Sequence, residues 1–122
     1  MKEEFYTALE DFPVVTAVKD YNGLDLALET DNRVVFVLFG NITDISMIVK
    51  KIKAKNKIAI VHVDLIEGLG SKEIAAKFIK YNTMADGIIS IKANIISAAK
   101  DLGLITVQRF FLIDSLSLKN VI

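Results

Sequence analysis

Ile58-Ala59-Ile60-Val61-His62-Val63-Asp64 is an unbroken apolar, β-branched run that closes on a histidine and an aspartate. Beyond Leu65–Gly70, the residues Ile74, Ala75, Phe78 and Ile79 recur at helical spacing, with Ser71 placed to cap that helix. A run this apolar suits a strand buried on both faces. A strand followed at once by an amphipathic helix is a βα unit, and the same unit recurs on either side of this one. Upstream lie the runs Val14–Val18, opened by Pro13, and Val34–Phe39, closed by Gly40-Asn41. Downstream lie Gly87–Lys92 and Ile105–Ile113. Helical patterns stand between them: Leu24, Leu26, Ala27 and Leu28 in one, and Ile45, Ile48, Val49 and Ile52 in the next, with Asn41 as its cap. A third begins at Asn94 and stops at Gly103. A lead-in over Met1–Phe12 sets Phe5, Ala8, Leu9 and Phe12 on one face, and a fifth βα helix begins at Asp114-Ser115.

Strands alternating with helices predict an α/β fold with a parallel sheet. Two architectures fit: part of a (β/α)8 TIM-type barrel, or an open doubly wound sheet. A full barrel has eight strands in about 250 residues, and the five runs in 122 residues amount to a part of one. No linker or low-complexity tract divides the chain, so residues 1–122 read as a single partial βα-barrel domain. Two open edges, at the first and fifth strands, would invite homo-oligomerisation.

Composition narrows the function classes. The apolar fraction is 52% and the mean hydropathy +0.44, yet no apolar run reaches the roughly 20 residues of a membrane span. The first residues lack the apolar core of a signal peptide. There is no cysteine, which removes disulfides and thiolate chemistry, and a cytoplasmic location is the default expectation. Fifteen basic residues balance fifteen acidic ones. A nucleic-acid surface would therefore have to be a local patch, for which the helix residues Lys50, Lys51, Lys53 and Lys55 are candidates. The same lysines read equally as a solvated helix face.

In parallel α/β folds, chemistry gathers where strands end. His62 and Asp64, two apart on a strand, would share a face and could serve as an acid–base pair. The alternative has His62 as a satisfied core group and Asp64 receiving backbone N–H bonds. Glu67-Gly68-Leu69-Gly70-Ser71 resembles half of a phosphate cradle, but Glu73 stands where a dinucleotide fingerprint has its third glycine. Lys92 could pair with a phosphate, form an imine with a carbonyl, or be a solvated charge. Arg109, inside an apolar strand, requires a partner, either a carboxylate such as Asp64 or Asp114 or an anionic ligand.

Three ordered segments carry a family resemblance: Ile60–Leu69, Gly87–Asn94 and Ile105–Ser115. They resemble motifs of the glycerol-3-phosphate-responsive antiterminators, the glycerol uptake operon antiterminator regulatory proteins, and Pro13–Lys19 is a looser match. The resemblance implies a barrel regulator, not an enzyme, that binds its operon's leader mRNA when glycerol-3-phosphate is present and so prevents termination of transcription. It implies no cofactor, only glycerol-3-phosphate as effector. The positions matching the family's polar strand ends are Lys19, His62, Asp64, Glu67, Lys92, Arg109, Asp114 and Ser115. The family commonly shows arginine where this chain has Lys19 and Lys92, which keeps the charge without the bidentate fork. The competing expectation is a phosphate-binding barrel enzyme acting on a small phosphorylated substrate, with Lys92 as electrophile anchor or acid and Asp64 as its partner.

Overall fold

The computed structural model describes residues 2–11 and 15–109. Helix α1 (Lys2–Asp11) leads into strand β1 (Val15–Val18). There follow α2 (Tyr21–Leu28), β2 (Val34–Val37), α3 (Ile45–Ala54) and β3 (Ile58–His62). A 3-10 turn over Val63–Leu65 precedes α4 (Ile74–Asn82), β4 (Gly87–Ser90), α5 (Ala93–Asp101) and β5 (Ile105–Gln108). Phe12, Pro13, Asp114, Ser115 and the expected fifth helix lie outside the described residues.

All five strands are parallel and stand in sequence order, β1-β2-β3-β4-β5. Strand periodicity divides their side chains between two cores. Val35, Val37, Ala59, Val61 and Ile88 face one way and bury Ile48, Val49 and Ile52 of α3, Ile79 of α4, and Ile95 and Ala99 of α5. Val34, Phe36, Ile58, Ile60, Ile89, Ile105 and Val107 face the other way, where Phe5, Ala8 and Leu9 of α1 pack on them. The helices that connect the strands thus share one face, and among the described residues α1 is the helix that packs on the other. This is an α/β fold with five parallel strands in one sheet that alternate with helices, an arrangement shared by part of a βα barrel and by an open sheet.

Sheet closeness is set at one glycine. Gly87 lies opposite Ile105 across the β4–β5 ladder, and a Cβ at Gly87 would sit 2.3 Å from the Ile105 carbonyl oxygen. Only a residue without a side chain lets the two backbones pair there.

The amino ends of the strands are tied by a buried polar cluster. Asp86, 7% exposed, accepts from Lys53 Nζ and from the Ala59 backbone N–H, both at 2.8 Å. Lys53 also donates to the Lys57 carbonyl, and Lys57 donates to the carbonyls of Thr30 and Asn32. Lys53 is therefore a structural residue, not a member of a solvated lysine face, whereas Lys50, Lys51 and Lys55 are exposed.

Three helix starts depart from the sequence expectation. Asn41 does cap, but one turn early: its Oδ1 accepts from Thr43 N and Asp44 N, and its carbonyl accepts from Ile45 N. Ser71 is exposed and α4 begins only at Ile74, because the preceding loop bridges back to the β2 loop through Glu67 N to Gly40 O and Ile42 N to Glu67 O. Asn94 lies within α5, and Lys92 takes the cap position.

Candidate functional site

The carboxyl ends of the strands and the inner face of the sheet enclose a concavity of about 520 Å³. Its polar lining is Lys19 past β1, His62 ending β3, and Gln108 and Arg109 at the end of β5. Apolar walls come from Phe36, Leu38, Ile89 and Val107. Period-two alternation explains the grouping. Lys19 follows Val18, which faces the outer core, so Lys19 turns inward. His62 continues Ile58 and Ile60, and Arg109 continues Ile105 and Val107.

His62 is buried at 3% exposure, and its Nε2 lies 3.4 Å from an Arg109 guanidinium nitrogen. Its Nδ1 faces Asp64 Oδ2 at 3.8 Å, beyond hydrogen-bond length, and has no other partner among the described residues. Burial pushes the imidazole below the ordinary histidine value. The charge of Asp64 pulls against that, and the charge of Arg109 adds to it. The ring is consequently neutral at pH 7, and its contact with Asp64 is not an ion pair.

Asp64 does not share the face of His62 as an extended strand would require. The ladder ends at His62 and the chain coils into the 3-10 turn, which swings the carboxylate toward β4. There it accepts from Ser90 Oγ at 3.0 and 3.1 Å and from Ile91 N at 2.8 Å. Of the two readings the sequence allowed, Asp64 follows the one in which it receives a strand-end N–H. Ser90, fully buried, also accepts from Lys92 N through its hydroxyl and from Arg109 N through its carbonyl. The sequence signal for Ser90 was a lone hydroxyl inside an otherwise apolar strand.

Arg109 is exposed and lies one residue beyond β5, so it is not a buried guanidinium in need of a carboxylate, and its partner is His62. Lys92 and Glu67 do not line the concavity. Lys92 is half-buried and takes the cap position of α5, while the exposed Glu67 uses its backbone to join two loops. Gly68 and Gly70 adopt left-handed φ angles of 87° and 81°, but the loop they form packs against Ile42 and is separated from α4 by Ser71–Glu73. It builds no phosphate cradle at a helix terminus. The charged and titratable groups that line the concavity are therefore Lys19, His62 and Arg109. Asp114 and Ser115 lie outside the described residues.

The family model described as "Glycerol-3-phosphate responsive antiterminator" matches residues 14–122. This chain belongs to that family. Its strand-end residues are thus those of a regulatory family that works in transcription and glycerol metabolism. A crystal structure of a glycerol uptake operon antiterminator regulatory protein from Listeria monocytogenes str. 4b F2365 superposes with a TM-score of 0.78 at 29% identity, covering 87% of this chain and 57% of that one. A glycerol uptake operon antiterminator-related protein from Thermotoga maritima MSB8 gives a TM-score of 0.72 at 33% identity, covering 88% and 60%. The uncharacterized protein YgcP of Escherichia coli (strain K12) is 47% identical over 113 residues, which are 93% of this chain and 59% of YgcP. The chain spans less than two thirds of the length of each of these relatives. No helix among the described residues is long and apolar enough to cross a membrane.

Proposed function

We propose that this chain belongs to a cytoplasmic regulator that binds glycerol-3-phosphate in the strand-end concavity and, so loaded, binds leader mRNA of a glycerol uptake operon. What carries the reading is the convergence of Lys19 and Arg109 on one concavity in a chain of the antiterminator family. Two cations supply the charge for a phosphate, and Gln108 offers polar atoms for the glycerol hydroxyls. Apolar walls from Phe36, Leu38, Ile89 and Val107 line the rest of the concavity. The sheet with its single layer of connecting helices is then part of a closed βα barrel in the longer relatives. The RNA surface is assigned to the exposed lysines Lys50, Lys51 and Lys55, whose contacts would be with phosphates and so salt-sensitive.

The enzyme reading has no support from geometry. Lys92, the group an imine mechanism would use, does not face the concavity that would hold a phosphorylated substrate.

Titration calorimetry with glycerol-3-phosphate tests the first half. Saturable binding is expected, and Arg109→Gln should weaken it by about 10- to 100-fold, the worth of one charge-assisted hydrogen bond. Anisotropy of a labelled leader hairpin tests the second half. Ligand should tighten RNA binding, and Lys50→Glu with Lys51→Glu should loosen it without altering the ligand affinity. RNA binding indifferent to glycerol-3-phosphate refutes the regulatory link.

A further inference from the structure

The contacts around Arg109 form a circuit with one open link, the 3.8 Å between His62 Nδ1 and Asp64. Its backbone N–H donates to the Ser90 carbonyl at 2.9 Å. The Ser90 hydroxyl donates to Asp64, Asp64 faces His62 Nδ1, and His62 Nε2 faces the Arg109 guanidinium. An arginine can only donate, so the Nε2 that meets it must accept. The neutral ring then carries its proton on Nδ1, directed at the Asp64 carboxylate. Moving Nδ1 to hydrogen-bond length from Asp64 takes roughly 1 Å. Among the described residues, the charged groups that face the ring are Asp64 beyond the end of β3, Arg109 from the end of β5 and Lys19 across the concavity. The intervening walls from β2 and β4 are apolar: Phe36, Leu38 and Ile89.

A neutral buried histidine adds no charge for an anion to find. It fixes direction: a long, exposed side chain on a strand end is held by one acceptor at its tip. We propose that His62 is the positioning residue of this concavity, its Asp64-backed ring holding Arg109 in the orientation that meets an anionic ligand. The inference rests on the functional reading above for the anion and on the circuit itself for the role of the ring. His62 thereby ceases to be a ligand contact of the ordinary kind. It acts through Arg109, and a side chain with an acceptor in the same place can replace it. Glutamine, whose amide oxygen can take the place of Nε2, is that side chain, and leucine is not.

The chain has one histidine, so its ring nitrogens give a single, assignable set of NMR signals in the unliganded protein. The expected tautomer has the proton on Nδ1, and Arg109→Gln should raise the His62 titration midpoint by removing the facing cation. A proton on Nε2, or a midpoint unmoved by Arg109→Gln, overturns the proposal whether or not any ligand binds. With glycerol-3-phosphate as probe, His62→Leu should bind at least tenfold more weakly than wild type and His62→Gln within threefold of it. Wild-type binding matched by His62→Leu overturns the positioning role and leaves the functional reading standing. A wild-type chain that binds neither glycerol-3-phosphate nor inorganic phosphate overturns the functional reading and the anion role together. Should His62→Leu fail to fold, the tautomer and midpoint of the other two proteins still decide the role of the ring.

Discussion

Replacing Asp86 by alanine should be among the most damaging single changes outside the apolar core. The Asp86 carboxylate satisfies two donors at the amino end of the sheet, Lys53 Nζ and the Ala59 backbone N–H, each at 2.8 Å. Alanine removes a charge-assisted hydrogen bond, worth about 1.5–3 kcal/mol, and leaves the Ala59 N–H buried without an acceptor, at about 1–3 kcal/mol. The lysine share needs discounting, because the Lys53 side chain is 22% exposed and can turn to water. A net loss of about 3 kcal/mol follows. Asparagine keeps an oxygen for Ala59 and forfeits only the charge, so Asp86→Asn should cost about 1 kcal/mol. Urea denaturation followed by circular dichroism reads both. With a slope of about 1.5–2 kcal/mol per molar, Asp86→Ala should lower the midpoint by about 1.5–2 M and Asp86→Asn by about 0.5 M, with unchanged slopes. An alanine variant within 1 kcal/mol of wild type would refute the reasoning. So would an asparagine variant as unstable as the alanine one, since that would place the whole effect in the ion pair.

Other consequences are simpler to state. Gly87→Ala should destabilise the fold by about 2–3 kcal/mol or more, since the new methyl collides with the Ile105 carbonyl, and a thermal melt within 2 °C of wild type would contradict it. Ser90→Ala should cost about 1–2 kcal/mol by stripping Asp64 of its buried hydroxyl donor, read as a urea midpoint shift with little change in the far-ultraviolet spectrum. Because the folded-state value of His62 lies below its unfolded one, the unfolded chain binds the proton first as pH falls. Stability should therefore decline as pH drops through about 6.5 and level off below the folded-state value. His62→Gln should flatten that segment of the stability–pH curve.

The fold was largely written in local pattern. Each apolar run contains a strand, and each 3.6-residue stripe, from Ile45–Ile52 to Ile74–Ile79, is a helix against the outer face. The runs overshoot the strands because burial outlasts the ladder: Leu38 lines the concavity and Phe39 packs on the outer core, although β2 ends at Val37. The site was legible where alternation continues through a strand end, as at Lys19, His62 and Arg109. At Asp64 the sequence left two readings open, and the 3-10 turn past His62 selects the one in which its carboxylate receives a strand-end N–H. Lys53 was misread because its partner Asp86 lies 33 positions away, a distance over which helical periodicity carries no information. Lys92 looked like a rim residue by position alone, but it caps α5 and is not among the residues lining the concavity.

Every strand of this sheet after the first pairs with the one made just before it. A ribosome can therefore deliver the molecule piecewise. As each βα unit emerges, its docking edge has already been synthesised, so no strand must wait for a distant part of the message. Assembly by successive addition keeps loop closures short and the search for native pairings brief, and it makes the order of translation a workable order of folding.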